Sequence, residues 1–273
     1  MPAGAGSESP TGVRTYQKRG RRLAVVRLTV LGSSGAFPTA ECPSNGFLVE
    51  HEGFHLLLDV GYATFPALLW HLPVERLDAV YITHGHPDHC ADLNPLLRAR
   101  ARVDGGRPAP PLRVFAPPGA LDAVLALDRP GMLDDALKLS EFTPGDSWRI
   151  GPFAVRTGLL PHFWPNAAVR LDAAGRALAY SGDGGPSEML ETLARDADLL
   201  IAEASYVDEV PDDLCGQLSS ARDAGNVASA AGVGSLLLAH LMPGISHASA
   251  SAAAGAVYRG SIEIATPNLV REL

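Results

Sequence analysis

The stretch THGHPDHCADL constrains this chain more than any other, because it gathers His84, His86, Asp88 and His89 within six residues at the end of an apolar, strand-like run, LDAVYIT. Imidazoles and a carboxylate this close together are donors for a metal site. In an extended segment residues i and i+2 project to the same side, so His84 and His86 can grip one ion. Pro87 has no N–H to donate and keeps His86 out of the helical region, after which Asp88 and His89 can turn toward a second position. The alternative is a run of solvated loop histidines. With 9 His among 273 residues, chance placement gives the full pattern on the order of once per thousand chains.

Length and composition bound the rest. A chain of 273 residues with 47% hydrophobic residues can bury a sizeable core as one large domain or two small ones. Its apolar runs break well short of the roughly 20 residues that a membrane-spanning helix needs. Cys42, Cys90 and Cys215 are an odd number without close pairing, which argues against a disulfide framework and makes a reducing cytoplasm the expected location. A net charge of −8 opposes strong binding to a nucleic-acid backbone, yet is compatible with a small anionic substrate held directly by metal. A homodimer is left open.

Residues 1–24 are rich in Gly, Ser and Pro, then basic at Arg14, Lys18, Arg19, Arg21 and Arg22. They read as a disordered tail, with a phosphate- or membrane-attracted arm as the alternative, and they lack the apolar core of a secretion signal. From Val25 onward, VVRLTVL, NGFLVEH and FHLLLDVG are strand-like runs separated by turn residues. Gly32, Ser33, Ser34 and Gly35 lack the Lys-Ser/Thr ending of a phosphate-binding loop, so a strand-to-strand turn is expected there. Asp59 closes an apolar strand. It is expected either to accept the outer N–H of a metal-bound imidazole or to serve as a turn or helix N-cap residue.

Further along, ATFPALLWHL and DLNPLLRARARV predict helices, the second with Arg98, Arg100 and Arg102 suited to its C-terminal dipole. GGRPAPP, residues 105–111, predicts an exposed flexible loop. RVFAP, ALKLSEF and FAVRTGLL predict strands, the last running into His162, and GALDAVLAL predicts a helix. AVRLDAAGRALAYSGD reads as a hairpin ending at Asp183. MLETLARDA is a helix, ADLLIAEAS a strand ending near Glu203, SSARDAGNVASAAG a helix closed by Gly232, and SLLLAHLMP a strand ending at His240. His51, His55, His71 and His247 lack such placement and are expected in surface or satisfied-core roles.

Taken in order, His84, His86, Asp88, His89, His162, Asp183 and His240 resemble the ligand signature of the metallo-β-lactamase fold, over about Val25 to the C-terminus. The resemblance implies a single-domain, four-layer αββα sandwich spanning residues 25–273. It also implies that His84, His86 and His162 hold one divalent ion, that Asp88, His89 and His240 hold another, and that Asp183 bridges them. The ions would be Zn2+, with Mn2+ or Fe2+ as alternatives. LLLDVG also looks like the family's strand-final Asp, in keeping with a supporting role for Asp59.

YSGDGGPSEML and LIAEASY are similar to segments of ribonuclease Z and of relatives that cleave cyclic nucleotides. Two departures stand out. His162 and Asp183 are separated only by a hairpin, with no room for the tRNA-clamping arm of ribonuclease Z. That enzyme's Glu-His dyad is matched by Glu203, but GQLSS places Gln217 where the His would fall. Paired metals lower the pKa of bound water from 15.7 to about 7 and clamp both oxygens of the displacement, whereas a general acid adds only ~10² to 10⁴ in rate. The absence of that histidine is therefore expected to weaken hydrolysis but need not abolish it.

The expectation is a dinuclear hydrolase of small phosphodiesters, most plausibly a cyclic-nucleotide phosphodiesterase, with Asp88, Glu203 and Gln217 at the chemistry. A lactone, thioester or carboxylic-ester hydrolase using the same centre is one alternative. A low-activity metal-binding module is another.

Overall fold

The computed structural model describes residues 25–102 and 108–273. The tail expected over 1–24 lies outside these residues, as does the start of the loop expected over 105–111. In chain order the strands are β1 (Arg27–Gly32), β2 (Gly46–His51), β3 (Phe54–Leu58), β4 (Ala79–Tyr81), β5 (Leu112–Ala116), β6 (Leu137–Glu141), β7 (Ser147–Ile150), β8 (Phe153–Leu160), β9 (Asn166–Ala173), β10 (Arg176–Tyr180), β11 (Leu199–Glu203), β12 (Ser235–Ala239), β13 (Ser261–Ile264) and β14 (Val270–Glu272). They form two seven-stranded sheets, ordered β14-β1-β2-β3-β4-β5-β6 and β13-β12-β11-β10-β9-β8-β7.

Period-2 alternation explains how these strands serve two cores at once. In β2, β3 and β4 one set of side chains (Phe47, Val49, Leu56, Leu58, Ala79, Tyr81) enters the core between the sheets. The residues between them (Leu48, Leu57, Val80) face the outer core, with Leu68, Leu93, Leu96 and Leu97. β11 and β12 divide likewise, Leu199, Ile201 and Leu237 pointing inward and Leu200, Leu236 and Leu238 outward. Both faces of these strands are buried, which is why the sequence reads there as unbroken apolar runs.

Helices cover both outer faces and complete the αββα sandwich. On the first sheet lie α1 (Thr64–Leu68), α2 (Pro87–Cys90), α3 (Leu93–Arg100) and α4 (Asp122–Leu125). On the second lie α5 (Glu188–Ala194), α6 (Ala221–Ala231) and α7 (His247–Gly255). α6 starts with a reciprocal Ser220/Asp223 capping box and ends on Gly232 in the left-handed region, as its sequence predicts.

The differences from expectation are local. α1 stops at Leu68 and α4 at Leu125, each shorter than the pattern implied. Arg100 does not reach solvent at the end of α3. It is buried, and its guanidinium donates to the carbonyls of Val74, Leu77 and Pro110. β7, α7, β13 and β14 carried no sequence signal and are present.

Strands β3-β4-β5-β6 run parallel, as do β10-β11-β12-β13. Sites in such sheets form at the carboxyl ends of the parallel strands. Asp59, the His84–His89 segment, Asp183, Glu203 and His240 all sit at such ends.

Candidate metal centre

β4 delivers His84 within three residues of its end. His86 then caps α2, with Pro87 at the first helical position, and this single turn aims Asp88 and His89 at a second point. The loops after β8, β10 and β12 bring in His162, Asp183 and His240 from the other sheet. Two four-residue groups result: His84, His86, His162 and Asp183, and Asp88, His89, Asp183 and His240. Within each, one donor atom per residue lies within 4.8 Å of the rest. Asp183 belongs to both.

Hydrogen bonds fix which ring nitrogens face inward. Asp59 Oδ2 accepts from the Thr83 hydroxyl at 2.9 Å, the Tyr180 hydroxyl at 2.7 Å and His89 Nδ1 at 2.7 Å, while Oδ1 accepts from the Thr83 amide at 2.8 Å. The Thr83 hydroxyl has spent its proton on Asp59, so at 3.0 Å it accepts from His84 Nδ1. His162 Nδ1 donates to the main-chain carbonyl of Gln217 at 2.9 Å. His240 Nδ1 lies 2.8 Å from the Ser205 hydroxyl, which donates to Glu203 Oε1 at 2.7 Å. In all four rings Nε2 is therefore the inward atom.

These inward atoms match a bound cation. His84 Nε2 and His162 Nε2 are lone pairs, and they stand 3.0 and 3.1 Å from His86 Nδ1. A single imidazole proton could not satisfy all three nitrogens, whereas one divalent ion would. His89 Nε2 faces Asp183 Oδ1 at 3.2 Å, and that buried oxygen accepts no hydrogen bond. His240 Nε2 lies 3.1 Å from Asp88 Oδ2 and 3.2 Å from Asp183 Oδ2.

The electrostatics differ across the cluster. Burial, reinforced by the neighbouring His89, holds His84 well below the ordinary imidazole range, and burial also lowers His86 and His162. Burial opposes charge on His240 too. There, however, Asp183, the hydrogen-bonded Asp88 and Glu203 prevail and raise it to about 9. Against the same burial, the carboxylates of Asp183, Asp88 and Asp59 raise His89 well above its usual value.

Glu203 is buried and pushed up to about 8 by that burial and by the charge of Asp183. Its oxygens are taken by the Gly184 amide at 2.6 Å and the Ser205 hydroxyl at 2.7 Å, so it reaches the cluster through Ser205 and His240. Gln217 reaches it through its backbone carbonyl. Of the alternatives for Asp59, the imidazole partner is the one observed, and the following helix is capped at Ala63 instead.

The Gly32–Gly35 turn also does more than join strands: it carries the Ala36 amide to 3.0 Å from Asp88 Oδ2. Thr83, Tyr180, Ser205 and Asn45, whose amide stands 3.2 Å from His89 Nε2, have no signature of their own. Asp59 and His240 both hold positive φ, 55° and 56°, the left-handed region that Asp and His enter more readily than most residues. Gly182 at φ 61° makes the turn into Asp183, where an added Cβ would fall 2.3 Å from Asn166 Oδ1.

Of the remaining histidines, His51 and His55 are buried with partners, His51 on the Val25 carbonyl and His55 on Asp78. His71 and His247 are exposed.

The chain belongs to the β-lactamase superfamily: the family model described as beta-lactamase superfamily domain matches residues 57–241. It is 29% identical over 249 residues to the probable metallo-hydrolase YhfI of Bacillus subtilis, covering 90% of this chain and 100% of that one. The crystal structure of YhfI matches with a TM-score of 0.83 at 28% identity, over 92% of this chain and 100% of the other. Ribonuclease Z of Mycobacterium bovis is 26% identical over 245 residues, covering 81% of this chain and 88% of the relative. Human tRNase Z, short form, shares the fold, with a TM-score of 0.73 at 22% identity over 90% and 98% of the two chains. Family and His/Asp cluster together make this chain a metallo-hydrolase. Among the described residues no helix is long and apolar enough to cross a membrane.

Proposed function

We propose that the cluster holds two divalent cations, zinc in the first instance, and that the chain hydrolyses small phosphodiesters, with cyclic nucleotides as the leading substrates. The carrying observation is that Asp183 belongs to both donor groups, so one carboxylate spans two adjoining cation positions. The donor set is imidazole and carboxylate without thiolate, which suits zinc and also admits manganese or iron. His84, His86, His162 and Asp183 would hold one ion, and Asp88, His89, Asp183 and His240 the other. Paired cations ionise water near neutral pH and offset charge on a transferring phosphoryl group.

Water oxygen bonds to phosphorus, the bond to the leaving alkoxide breaks, and the alkoxide takes up a proton. Asp88, steadied by the Ala36 amide, would orient the attacking water and accept its proton. Glu203 works through Ser205 to hold the His240 ring, and the Gln217 carbonyl does the same for His162. Asp59 fixes His89 and, through Thr83, His84.

The phosphodiester reading is supported by the likeness to ribonuclease Z over most of both chains. Small substrates are favoured over RNA by the net charge of −8. Among the described residues, moreover, no Lys or Arg pairs with a member of the cluster. The test is turnover of cyclic nucleotides, an aryl phosphodiester and an acyl-lactone by zinc-loaded protein of known metal content. Hydrolysis of the phosphodiesters is expected. Turnover of the lactone alone would replace this reading with acyl-ester hydrolysis.

A further inference from the structure

We infer that Phe163 and Trp164 form a stacking platform for the base of a nucleotide whose phosphodiester sits at the metal centre, an inference that rests on the phosphodiester reading above. The segment joining β8 to β9 is Pro-His-Phe-Trp-Pro: His162 belongs to the cluster, and Pro161 and Pro165 stiffen the loop on either side. The two aromatic residues at its tip face solvent instead of packing inward, Phe163 at 56% and Trp164 at 44% exposure. Each nonetheless touches a cluster ring. Phe163 lies 5.5 Å, centroid to centroid, from His162, and Trp164 lies 6.1 Å from His86.

Trp164 also lies over Gly85, between His84 and His86: a Cβ there would fall 2.7 Å from the Ala120 carbonyl oxygen and 3.2 Å from Trp164 Nε1. Phe37, one residue beyond the Ala36 amide that meets Asp88, is also 51% exposed.

A planar base needs only one aromatic face, and every base has one. One phosphodiester at the cluster and one base on the Phe163–Trp164 rim would use both the donors and the exposed rings.

The experiment compares kcat/KM for adenosine 3′,5′-cyclic phosphate with that for its base-free analogue, methyl ribofuranoside 3,5-cyclic phosphate, in the wild type and in Trp164→Ala, Trp164→Phe and Phe163→Ala. Calorimetry of adenosine 5′-monophosphate against ribose 5-phosphate on the zinc-loaded proteins accompanies it. The wild type is expected to favour the base-bearing compound by about 5- to 150-fold, the range of one stacked base. Trp164→Ala is expected to collapse that ratio toward one, mainly through KM, Phe163→Ala to reduce it, and Trp164→Phe to retain most of it.

Equal handling of both compounds by the wild type overturns the platform while leaving phosphodiester hydrolysis intact. A parallel loss on both in Trp164→Ala also overturns it, because that pattern marks a residue acting only through His86. If no phosphodiester is cleaved but adenosine monophosphate still binds more tightly than ribose phosphate in a Trp164-dependent way, the platform stands and the reaction assignment falls. If neither cleavage nor that discrimination is seen, both fall.

Discussion

The two halves of the cluster share Asp183 but are built to different specifications. Asp88, His89 and His240 are all buried, and the rings of their half are backed by Asp59 and by the Ser205–Glu203 pair. In the other half His86 is half-buried while the His84 and His162 side chains are buried, and the backing groups are a hydroxyl and a main-chain carbonyl. The pKa directions follow this division. Carboxylates overcome burial and raise His89 and His240, whereas burial prevails and lowers His84, His86 and His162. Without metal, the buried half thus favours protonated rings and the other half neutral ones, so that loading a cation into the buried half would displace protons.

The largest effect should come from removing what the halves share. Asp183→Asn is expected to lower hydrolysis by at least about 10³-fold, the several kcal/mol that paired cations contribute, and to reduce bound metal in both halves, as read by elemental analysis. Full metal content with lost activity would show that Asp183 does not bridge.

His162→Ala breaks the symmetry instead. Metal content should fall from about two equivalents to about one, the buried half staying loaded after brief dialysis against a chelator. Loss of both equivalents together would erase the distinction between the halves.

Asp59→Asn probes the backing of His89 directly and that of His84 through Thr83. A cost of about 10- to 100-fold in metal affinity or activity is expected, in the range for partners of ligating histidines. Stability should fall as well, because Thr83, Tyr180 and His89 all donate to that carboxylate.

The smallest effect is a pH dependence of the metal-free protein. His240 has a folded-state pKa of about 9, above its ordinary value of 6.5, so the stability it contributes is complete below pH 6.5 and is lost as pH rises through about 9. Glu203, raised to about 8, acts with the same sign over its own interval from 4.5 upward. The Tm of chelator-treated protein should therefore drop by a few degrees between about pH 6.5 and 9, while the zinc-loaded protein stays nearly flat. A metal-free Tm that rises over this interval would contradict the assigned charge states.

The parts of the molecule legible in the sequence are those where one residue type has few alternative uses. His84, His86, Asp88 and His89 stand out by spacing, and His162, Asp183 and His240 by ending apolar runs, and the structure brings all seven together. α6 was legible because Ser220 and Gly232 punctuate it. α7 was not, since HASASAAAG is small and nearly uniform around the helix and offers no polar-to-apolar contrast. β13 and β14 escaped notice because their residues are only partly buried and lack clear alternation. Thr83, Tyr180 and Ser205 are ordinary strand-end residues whose importance arises from partners distant in sequence, such as Asp59, which lies 121 positions from Tyr180. No local pattern encodes that separation.

The origin of the donors has a mechanical consequence. His84, His86, Asp88 and His89 come from the sheet containing β4, whereas His162, Asp183 and His240 come from the one containing β8, β10 and β12. Any ion gripped by either group is therefore a rivet through the seam of the sandwich, clamping one half of the molecule to the other at a single edge. Stripping it should loosen that edge first, with amide exchange accelerating in the loops after β4, β10 and β12 while the far ends of the strands stay protected.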